Sequence, residues 1–399
     1  MKHVFIIGAK GFTYGGYETF LDKLTEYHQS NTEIKYHIAC KANGPGTTNE
    51  SKLEGVKIFS DSEYEYHNAH CFKIQSPEVG SAQAIFYDIK ALKYCISYIK
   101  KNNIEQPIVY VLSSRVGPVM GNYARKIHKL GGKVVHNPDG WEFRREKYIW
   151  IVRKYWKLSE RLTVRAADLE ICDSKNIEKY ILEEYAAFKP KTTFIAYGSD
   201  VIPSKLTDDD PKYLGWLEKF NITRLNYYIS VGRCVPENNF EVMIREFMES
   251  KTDKDFVIIT TNNPKFIKEL DQKLRFSKDK RIKFVGSIYD KELLKKIREM
   301  AYGYFHGHSV GGTNPSLLES LGSTKLNLLY NVSFNQEVAE EAALYWSLEN
   351  GNLASLIDKA DGLKDKDMDD FGVRAKRRIN DSYSWKHIAD KYVEVFVYR

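Results

Sequence analysis

Short runs of apolar, often β-branched residues alternate with longer amphipathic stretches along the whole chain. Such alternation predicts parallel strands joined by crossover helices, and therefore an α/β fold. The strands predicted in the first half are Val4–Ile7, Ile34–Ala39, Val56–Phe59, Ile108–Leu112, Lys133–Val135, Leu169–Cys172 and Thr193–Ala196. The helices predicted between them are Tyr17–His28, Ala82–Lys100, Val119–Leu130, Tyr148–Ala167 and Asn176–Tyr185.

The second half of the chain repeats this plan. Its predicted strands are Tyr227–Val231, Phe256–Thr260, Ile282–Val285, Tyr304–His306, Asn327–Leu329 and Leu344–Trp346. Its predicted helices are Phe240–Met248, Pro264–Leu274, Asp290–Ala301 and Pro315–Leu321. Because single cores stop growing beyond about 250–300 residues, a chain of 399 residues is expected to form two domains.

A polar segment bounded by prolines separates the two halves. We therefore predict a Rossmann-like domain over 1–200, a linker over 201–212 and a second Rossmann-like domain over 213–380. The segment 381–399 is expected to contain a final amphipathic helix, Trp385–Val397.

Positive charge is concentrated in one segment of the chain. The formal net charge is +7, and residues 141–165 hold eight Lys or Arg against three Glu, a local excess of five. Six aromatic residues interleave with these charges, as in helices that lie on a membrane surface. The alternative is a solvated helix face whose aromatic residues belong to the core. No recognised nucleic-acid-binding motif accompanies the charge.

The cysteines and the apolar runs bear on the cellular compartment. The five cysteines are scattered without paired spacing, which favours a reducing cytoplasm and gives no support for a zinc site. The first apolar run, Val4–Ile7, is too short for a signal sequence, and no stretch approaches the roughly 20 apolar residues of a membrane-spanning helix. We expect a soluble or peripheral protein.

Two loops of the first half carry candidate functional residues. In open α/β sheets ligands bind beyond the carboxyl ends of the strands, and a glycine-rich loop from Gly8 to Gly16 follows the first predicted strand. It matches neither the dinucleotide fingerprint nor the phosphate-binding P-loop, and a tight strand-to-helix turn is the alternative. Asp139 follows the strand that begins at Lys133, where it either contacts a ligand or only forms the turn with Gly140.

Two loops of the second half carry the other candidates. Arg233 follows Gly232 directly after a predicted strand, where an arginine can bind a diphosphate through two parallel hydrogen bonds. A glycine-rich loop then runs from His306 into a helix that begins at Pro315, whose free amides suit a phosphate. His306 and His308 lack the spacing and partners of a zinc site, and the acidic run 208–210 lies in the predicted linker, so we predict no metal site.

These motifs resemble the large retaining glycosyltransferase family 4 over nearly the whole chain. The most specific elements are the glycine-rich loop with Pro315 and Glu319, the segment Val231-Gly232-Arg233 and the helix that begins at Trp385. Within that family, the segments 14–20 and 139–142 are similar to bacterial rhamnosyltransferases that build streptococcal-type capsule and cell-wall polysaccharides. The resemblance implies the GT-B fold: two Rossmann-like domains facing across a cleft, with the C-terminal helix packing back on the N-terminal domain.

The same resemblance implies an activity. The chain is expected to transfer L-rhamnose from dTDP-β-L-rhamnose to glucose or N-acetylglucosamine on a lipid diphosphate, through a β-1,4 bond, without a metal ion. The N-terminal domain would bind the acceptor and the C-terminal domain the nucleotide sugar, at the inner face of the plasma membrane. Alternatives are a UDP-hexose donor, a nucleotide-sugar epimerase or dehydrogenase, which the absent dinucleotide fingerprint disfavours, and a non-catalytic nucleotide-sugar-binding protein.

Residue roles follow from the resemblance. Arg233 would bind the donor diphosphate, Glu319 the nucleoside sugar and the 311–314 loop the donor sugar and phosphate. The residues expected at the donor are Gly15, Gly16, Arg233, His308, Gly311, Gly312, Thr313, Asn314, Ser316, Leu317 and Glu319. Those expected at the acceptor or the membrane are Tyr17, Glu18, Trp141, Arg144 and Arg145, and those expected in catalysis are Asp139 and Arg233.

The sequence departs from the family at two positions. Asn238 replaces the lysine that usually follows the arginine by five residues, and Gly311 replaces the first glutamate of the paired-glutamate motif. Lys10 or Arg115 is expected to supply the missing positive charge, and His308 is expected to hold the donor sugar hydroxyls. The route expected is a same-face substitution in which the leaving diphosphate accepts the acceptor's proton, and not a double displacement through Asp139.

Overall fold

The computed structural model describes residues 1–13, 15–145, 148–261 and 263–398. The chain forms two compact units: unit 1 contains residues 1–197 and 385–399, and unit 2 contains residues 198–384. Each unit is an α/β layer structure, so the predicted fold class is confirmed.

Unit 1 is built on a sheet that has nine strands among the described residues, in the order β3-β4-β5-β2-β1-β6-β7-β8-β9. The strands are β1 Lys2–Ile7, β2 Ile34–Lys41, β3 Lys57–Ile58, β4 Glu63–Tyr66, β5 Ala69–Ile74, β6 Ile108–Leu112, β7 Lys133–Asn137, β8 Leu169–Cys172 and β9 Thr192–Phe194. Pairing is parallel except at β3–β4 and β4–β5. All of β6 and residues 4–7 of β1 are apolar and buried, which is typical of a parallel sheet covered on both faces.

The helices of unit 1 cover this sheet. They are α1 Gly16–His28, α2 Gln83–Lys101, α3 Gly117–Lys129, α4 Trp150–Ala166 and α5 Lys175–Glu184. The main core lies between the sheet and the helices α2 and α3, and is represented by Phe5, Val109, Leu92 and Met120.

The C-terminal helix returns to unit 1, as the resemblance predicts. It spans Trp385–Val397 and packs on α1 and on the strands β1 and β2. The hydroxyl groups of Tyr392 and Tyr110 lie 3.1 Å apart in the buried interface, and His28 contacts the carbonyl oxygen of Ala389 at 3.1 Å. The helix is therefore an integral layer of unit 1.

Unit 2 is built on a parallel sheet with six described strands in the order β12-β11-β10-β13-β14-β15. The strands are β10 Tyr227–Val231, β11 Asp255–Ile259, β12 Ile282–Gly286, β13 Gly303–His306, β14 Leu326–Tyr330 and β15 Leu344–Trp346. The helices are α6 Pro211–Phe220, α7 Phe240–Glu249, α8 Pro264–Leu274, α9 Lys291–Glu299, α10 Pro315–Ser323, α11 Ser333–Ala339, α12 Asn352–Asp361 and α13 Asp365–Ser382.

Several elements were not predicted from the sequence. They are the hairpin β4–β5 and the helices α6, α11, α12 and α13. The predicted linker overlaps one of them, because α6 begins at Pro211 with the Asp210 side chain accepting a hydrogen bond from the Lys212 amide at 2.9 Å. The acidic run 208–210 is used within the fold: Asp208 forms an ion pair with Lys296 at 2.5 Å, and Asp210 caps a helix.

Candidate functional site

The strand order of unit 2 reverses between β10 and β13. Strands are added on one side of β10 toward β12 and on the other side toward β15, so β10 and β13 flank the topological switch point. Ligands of open parallel sheets bind in the crevice beyond the carboxyl ends of such strands. The loop after β10 carries Arg233, and the loop after β13 carries the glycine-rich segment, so both predicted donor loops lie at this edge.

The two loops are tied to each other by hydrogen bonds. The backbone amide of Ser309 donates to the carbonyl oxygen of Glu237 at 2.9 Å, and the side chain of Asn239 donates to the carbonyl oxygen of Gly307 at 2.7 Å. A Cβ atom at Gly232 would lie 3.2 Å from Cε1 of His308, so the absence of a side chain permits this approach. The switch point therefore has a fixed backbone.

Arg233 is exposed, and its side chain forms no ion pair with the described residues. Asn238, which stands where the family has lysine, is buried and donates a hydrogen bond to the carbonyl oxygen of Arg233 at 2.8 Å. Asn238 therefore shapes the loop that presents Arg233 and supplies no charge.

The glycine-rich loop ends in a capped helix. The Asn314 side chain accepts a hydrogen bond from the amide of Ser316 at 2.9 Å, and Pro315 opens helix α10. The hydroxyl of Ser316 donates to the carbonyl oxygen of Val231 at 2.9 Å, and Leu317 is fully buried. Both side chains hold α10 against the sheet, and their expected contact with a donor stays a prediction.

Gly311 stands where the family has the first glutamate of its motif. Its φ angle is +139°, a backbone conformation that residues with a side chain rarely adopt. A Cβ atom there would meet nothing within 4 Å, so the backbone conformation, and not lack of space, favours glycine. Thr313, two residues on, is buried at 3% exposure.

Glu319 has a partner that the sequence did not reveal. Its carboxylate forms an ion pair with the buried Arg298 at 2.7 Å, and its own side chain is 43% exposed. Arg298 comes from α9 and also approaches the hydroxyl of Ser316 at 3.5 Å. The ion pair orients the Glu319 carboxylate. The only feature of the sequence that pointed to this ion pair is the arginine itself, which lies on the buried face of α9.

His306 and His308 stack, with ring centroids 4.3 Å apart and planes 10° apart. Burial holds the pKa of His306 well below its usual value, and the neighbouring His308 lowers it further. His306 is therefore neutral at physiological pH. Among the described residues, no group of three or more His, Cys, Asp or Glu is arranged to hold a metal ion.

In unit 1, the glycine-rich loop after β1 is closed by Glu18. The Glu18 carboxylate accepts a hydrogen bond from the Lys10 amide at 3.0 Å, and a Cβ atom at Gly15 would lie 2.0 Å from it. Gly16 opens helix α1 and faces open space. Glu18 thus acts within the loop; Tyr14, part of the motif shared with rhamnosyltransferases, lies outside the described residues.

Tyr17 and Asp139 lie near each other at the carboxyl edge of the unit 1 sheet. Burial raises the pKa of Tyr17 well above its usual value, and the Asp139 carboxylate raises it further. Tyr17 packs edge-on against Tyr197, with ring centroids 6.4 Å apart. Asp139 has a φ of +60° and accepts a hydrogen bond from the Gly140 amide at 2.9 Å. It therefore forms the predicted turn, and its charge is close enough to raise the pKa of the Tyr17 phenol.

A buried chain of three side chains underlies this edge. The Glu170 carboxylate lies 2.7 Å from Nδ1 of His136, and Nε2 of His136 lies 3.2 Å from the hydroxyl of Ser114. All three residues are at most 3% exposed. Because none of the three side chains reaches solvent, their role is structural. The hydrogen bonds between them fix the ends of β6, β7 and β8.

Arg115 and Lys10 are the cations expected to replace the family lysine, and Arg115 is already bound. Its guanidinium forms an ion pair with the buried Asp88 at 2.7 Å and donates to the carbonyl oxygen of Gly8. Burial raises the pKa of Asp88, and Arg115 opposes that increase. Arg115 is thus the internal counterion of unit 1, and its expected role at the donor diphosphate stays a prediction.

The basic and aromatic segment 141–165 contains an exposed apolar group. Ile149, Trp150 and Ile151 at the start of α4 are 67%, 66% and 57% exposed. The ammonium of Lys154 lies 4.8 Å from the centre of the Trp150 ring. None of the described helices is both long and apolar enough to cross a membrane.

Of the residues predicted at the acceptor or the membrane in this segment, Trp141 and Arg145 are partly buried and Arg144 is exposed. Trp141 packs edge-on against Tyr180 and carries the guanidinium of Arg144 over its ring at 4.3 Å. Arg145 forms an ion pair with Glu142. Lys147 lies outside the described residues.

The chain has relatives of known fold. Residues 1–200, half of the chain, match a family described as a domain of unknown function (DUF1972), and no curated protein matches. The HepE protein of Anabaena, solved with UDP, superposes with a TM-score of 0.71 at 13% identity, covering 99% of both chains. It has also been solved with UDP-glucose.

Two further structures have the same architecture. Sucrose-phosphate synthase from Thermosynechococcus elongatus has a TM-score of 0.74 at 14% identity, covering 99% of this chain and 98% of its own. A glycosyltransferase from Rickettsia africae has a TM-score of 0.71 at 14% identity, covering 99% of this chain and 97% of its own. At these identities the likeness establishes the GT-B fold, which the resemblance implies.

Proposed function

The chain belongs to the protein family described as a domain of unknown function (DUF1972), and we propose that it is a retaining glycosyltransferase with a nucleotide diphosphate sugar as donor. The observation that carries this proposal is the switch point of unit 2. There an exposed arginine, Arg233, and the capped amino end of α10 follow two adjacent strands. An arginine and the positive end of a helix dipole together suit a diphosphate.

The proposed donor is dTDP-β-L-rhamnose, and the proposed acceptor is a lipid-diphosphate-linked glucose or N-acetylglucosamine joined through a β-1,4 bond. Support comes from the resemblance of the segments 14–20 and 139–142 to rhamnosyltransferases of capsule and cell-wall synthesis. In the reaction, the bond between the anomeric carbon and the diphosphate breaks while the acceptor oxygen bonds to that carbon on the same face. The acceptor proton moves to the leaving diphosphate.

The protein contributes charge stabilisation and orientation to this step. Arg233 stabilises the negative charge that develops on the leaving diphosphate. Glu319, which forms an ion pair with Arg298, accepts a hydrogen bond from the nucleoside sugar in this proposal. No metal ion is required in this scheme, so activity should survive a chelator. Unit 1 supplies the acceptor side, where Asp139 and the neutral Tyr17 can bond acceptor hydroxyls.

A UDP-hexose donor is the second candidate, because the HepE protein of the same fold binds UDP and UDP-glucose. Glu319 would then accept hydrogen bonds from two ribose hydroxyls, whereas a deoxyribose offers one.

The activity test compares nucleotide release from dTDP-rhamnose and from UDP-glucose, each with and without a lipid-diphosphate-linked acceptor. We expect dTDP to be released only when the acceptor is present. Release of UDP instead selects the second candidate. Binding of a nucleotide sugar without acceptor-dependent release indicates a binding protein and overturns the proposal.

We further propose that the start of α4 docks on an anionic membrane, where the lipid acceptor resides. The exposed Ile149, Trp150 and Ile151 would enter the interface while the surrounding Lys and Arg residues attract anionic lipid.

Trp150→Ser should weaken binding to vesicles of anionic phospholipid about tenfold. Val373→Ser is the control, because Val373 is equally exposed in α13 of unit 2. Equal binding of the Trp150 variant and wild type contradicts the docking proposal.

A further inference from the structure

Glu237 lies on a short turn of the loop that joins β10 to α7. Its backbone carbonyl accepts hydrogen bonds from both the amide and the hydroxyl of Ser309, at 2.9 and 2.8 Å. The neighbouring Asn238 holds the same loop through the carbonyl oxygen of Arg233. The backbone of Glu237 is therefore fixed between the two loops of the switch point.

The Glu237 side chain is buried, and it has no partner among the described residues. The residue is 6% exposed, and neither carboxylate oxygen has a hydrogen bond with any described residue. Burying an ionised carboxylate without a partner costs several kcal/mol, and an unsatisfied buried group of a folded protein requires an explanation. A partner from outside the chain would satisfy these oxygens.

Glu246 is a buried carboxylate of unit 2 with a purely structural role, and its partners can be compared with those of Glu237. It is fully buried, and it accepts hydrogen bonds from the amides of Gly351 and Ala354 at 3.1 and 3.2 Å. Arg245 forms an ion pair with it at 3.1 Å. The contrast with Glu237 argues against a structural role for Glu237.

The position of Glu237 favours a sugar as the missing partner. It follows Arg233 by four residues in a loop at the ligand edge of the sheet. A carboxylate repels a phosphate, but it accepts hydrogen bonds from hydroxyl groups. Gly311 has no side chain, so it cannot supply the carboxylate that the family places in the other loop.

We propose that Glu237 binds the hydroxyl groups of the donor sugar and thereby selects the sugar attached to the nucleotide. This assignment rests on the proposed function, and it deepens that function by naming the residue that distinguishes a nucleotide sugar from the bare nucleotide. Arg233 attracts the diphosphate of both ligands, whereas Glu237 favours only the ligand that brings hydroxyl groups.

The test is calorimetric titration of wild type and Glu237→Gln with dTDP and with dTDP-rhamnose. The amide keeps the shape of the side chain and removes its charge. We expect the affinity for dTDP-rhamnose to fall about tenfold, because charge-assisted hydrogen bonds to the hydroxyls are lost. The affinity for dTDP should stay the same or rise, because a repulsive charge has gone. The melting temperature without ligand should not fall.

Glu246→Gln is the matched control. It should lower the melting temperature, because two amides and Arg245 lose an ionised partner, while the ratio of the two affinities stays as in wild type. If wild type binds UDP and UDP-glucose instead, the same comparison is made with that pair.

The outcomes separate this inference from the proposed function. Equal weakening of both ligands by Glu237→Gln, or a lower melting temperature with an unchanged affinity ratio, overturns the role of Glu237 and leaves the glycosyltransferase proposal standing. If wild type binds no nucleotide or nucleotide sugar, the proposed function fails, and this inference fails with it.

Discussion

The two units have the same architecture, but the charged residues at their switch points differ in their partners. In unit 1 the strand order reverses between β1 and β6, and Arg115 after β6 bonds the carbonyl oxygen of Gly8 after β1 while it neutralises Asp88. In unit 2 the equivalent loops leave Arg233 exposed, and no described residue bonds the carboxylate of Glu237. The charged groups of one crevice thus neutralise each other, whereas no described residue forms an ion pair with the two charged side chains of the other. An arginine after a strand is therefore not evidence of a binding site until its partners are known.

The largest effect expected is on stability, from Arg115→Ala in unit 1. The substitution leaves Asp88 buried without its counterion, which should reduce the free energy of unfolding by about 3–5 kcal/mol. Chemical denaturation measures this change, and Asp88→Asn in the same chain should recover part of the loss. Arg125→Ala, at an exposed position of α3, is the control. If the Arg115→Ala variant unfolds like wild type, Arg115 is not a required counterion, and the proposed difference between the two switch points is wrong.

Arg233→Ala in unit 2 should have the opposite profile. We expect a loss of turnover of about a hundredfold, near 3 kcal/mol of transition-state stabilisation, with an unchanged melting temperature. The reason is that Arg233 is exposed and forms no ion pair with the described residues. Steady-state kinetics with the donor identified above measures the loss, with Arg224→Ala as an exposed control. Turnover within threefold of wild type contradicts the role assigned to Arg233.

Glu319→Gln sharpens the comparison within unit 2. The amide loses the charge that accepts a hydrogen bond from the donor pentose, so the affinity for dTDP should fall about tenfold, near 1.4 kcal/mol. The ion pair with Arg298 is weakened as well, which should lower the melting temperature slightly. Calorimetric titration beside thermal melting separates the two effects, and the exposed Glu341→Gln is the control. A lower melting temperature with normal dTDP affinity would place Glu319 outside the site.

The smallest effect concerns acid pH and a chain of histidines in unit 1. Nε2 of His37 lies 2.9 Å from His3, and its Nδ1 lies 2.9 Å from His70. Burial, aided by His70, His3 and Lys35, lowers the pKa of His37 to about 2. Because the unfolded chain takes up a proton near pH 6.5 and the folded chain does not, this contribution to stability is lost progressively as the pH falls from 6.5 toward 2.

From pH 7 to pH 6, one such histidine should cost about 0.7 kcal/mol of unfolding free energy. His37→Phe keeps a ring against Phe5 and should reduce the dependence by that amount. Denaturation at both pH values measures the difference. An identical dependence in the variant would show that other groups cause the acid sensitivity.

The strands of the two sheets could be predicted from the sequence more completely than the helices that cover them. All six described strands of unit 2 were predicted, because buried parallel strands are continuous apolar runs. Helix α13 was missed because its buried face is formed by Met368, Gly372, Ala375 and Ile379 within a highly charged sequence. Small residues at helical spacing produce no apolar stripe, yet Gly372 lets α13 approach Lys325.

The candidate site was predicted in its loops but not in its contacts. The loops can be recognised in the sequence because glycines, Pro315 and Arg233 come directly after predicted strands. Such positions depend only on local sequence. The ion pair of Arg298 with Glu319 and the isolation of Glu237 depend on which elements pack together. No local pattern encodes that, so these features emerged only from the three-dimensional arrangement.

The helix Trp385–Val397 sets the order in which the protein can mature during synthesis. The chain leaves unit 1 at Tyr197 and returns to it only at Trp385, after all of unit 2 has been made. Until then the surfaces of α1, β1 and β2 that this helix covers, together with the hydroxyl of Tyr110, have no cover on the nascent chain. Unit 2 is continuous and can fold as soon as it leaves the ribosome. Of the two units, the one that is translated first is therefore the one completed last.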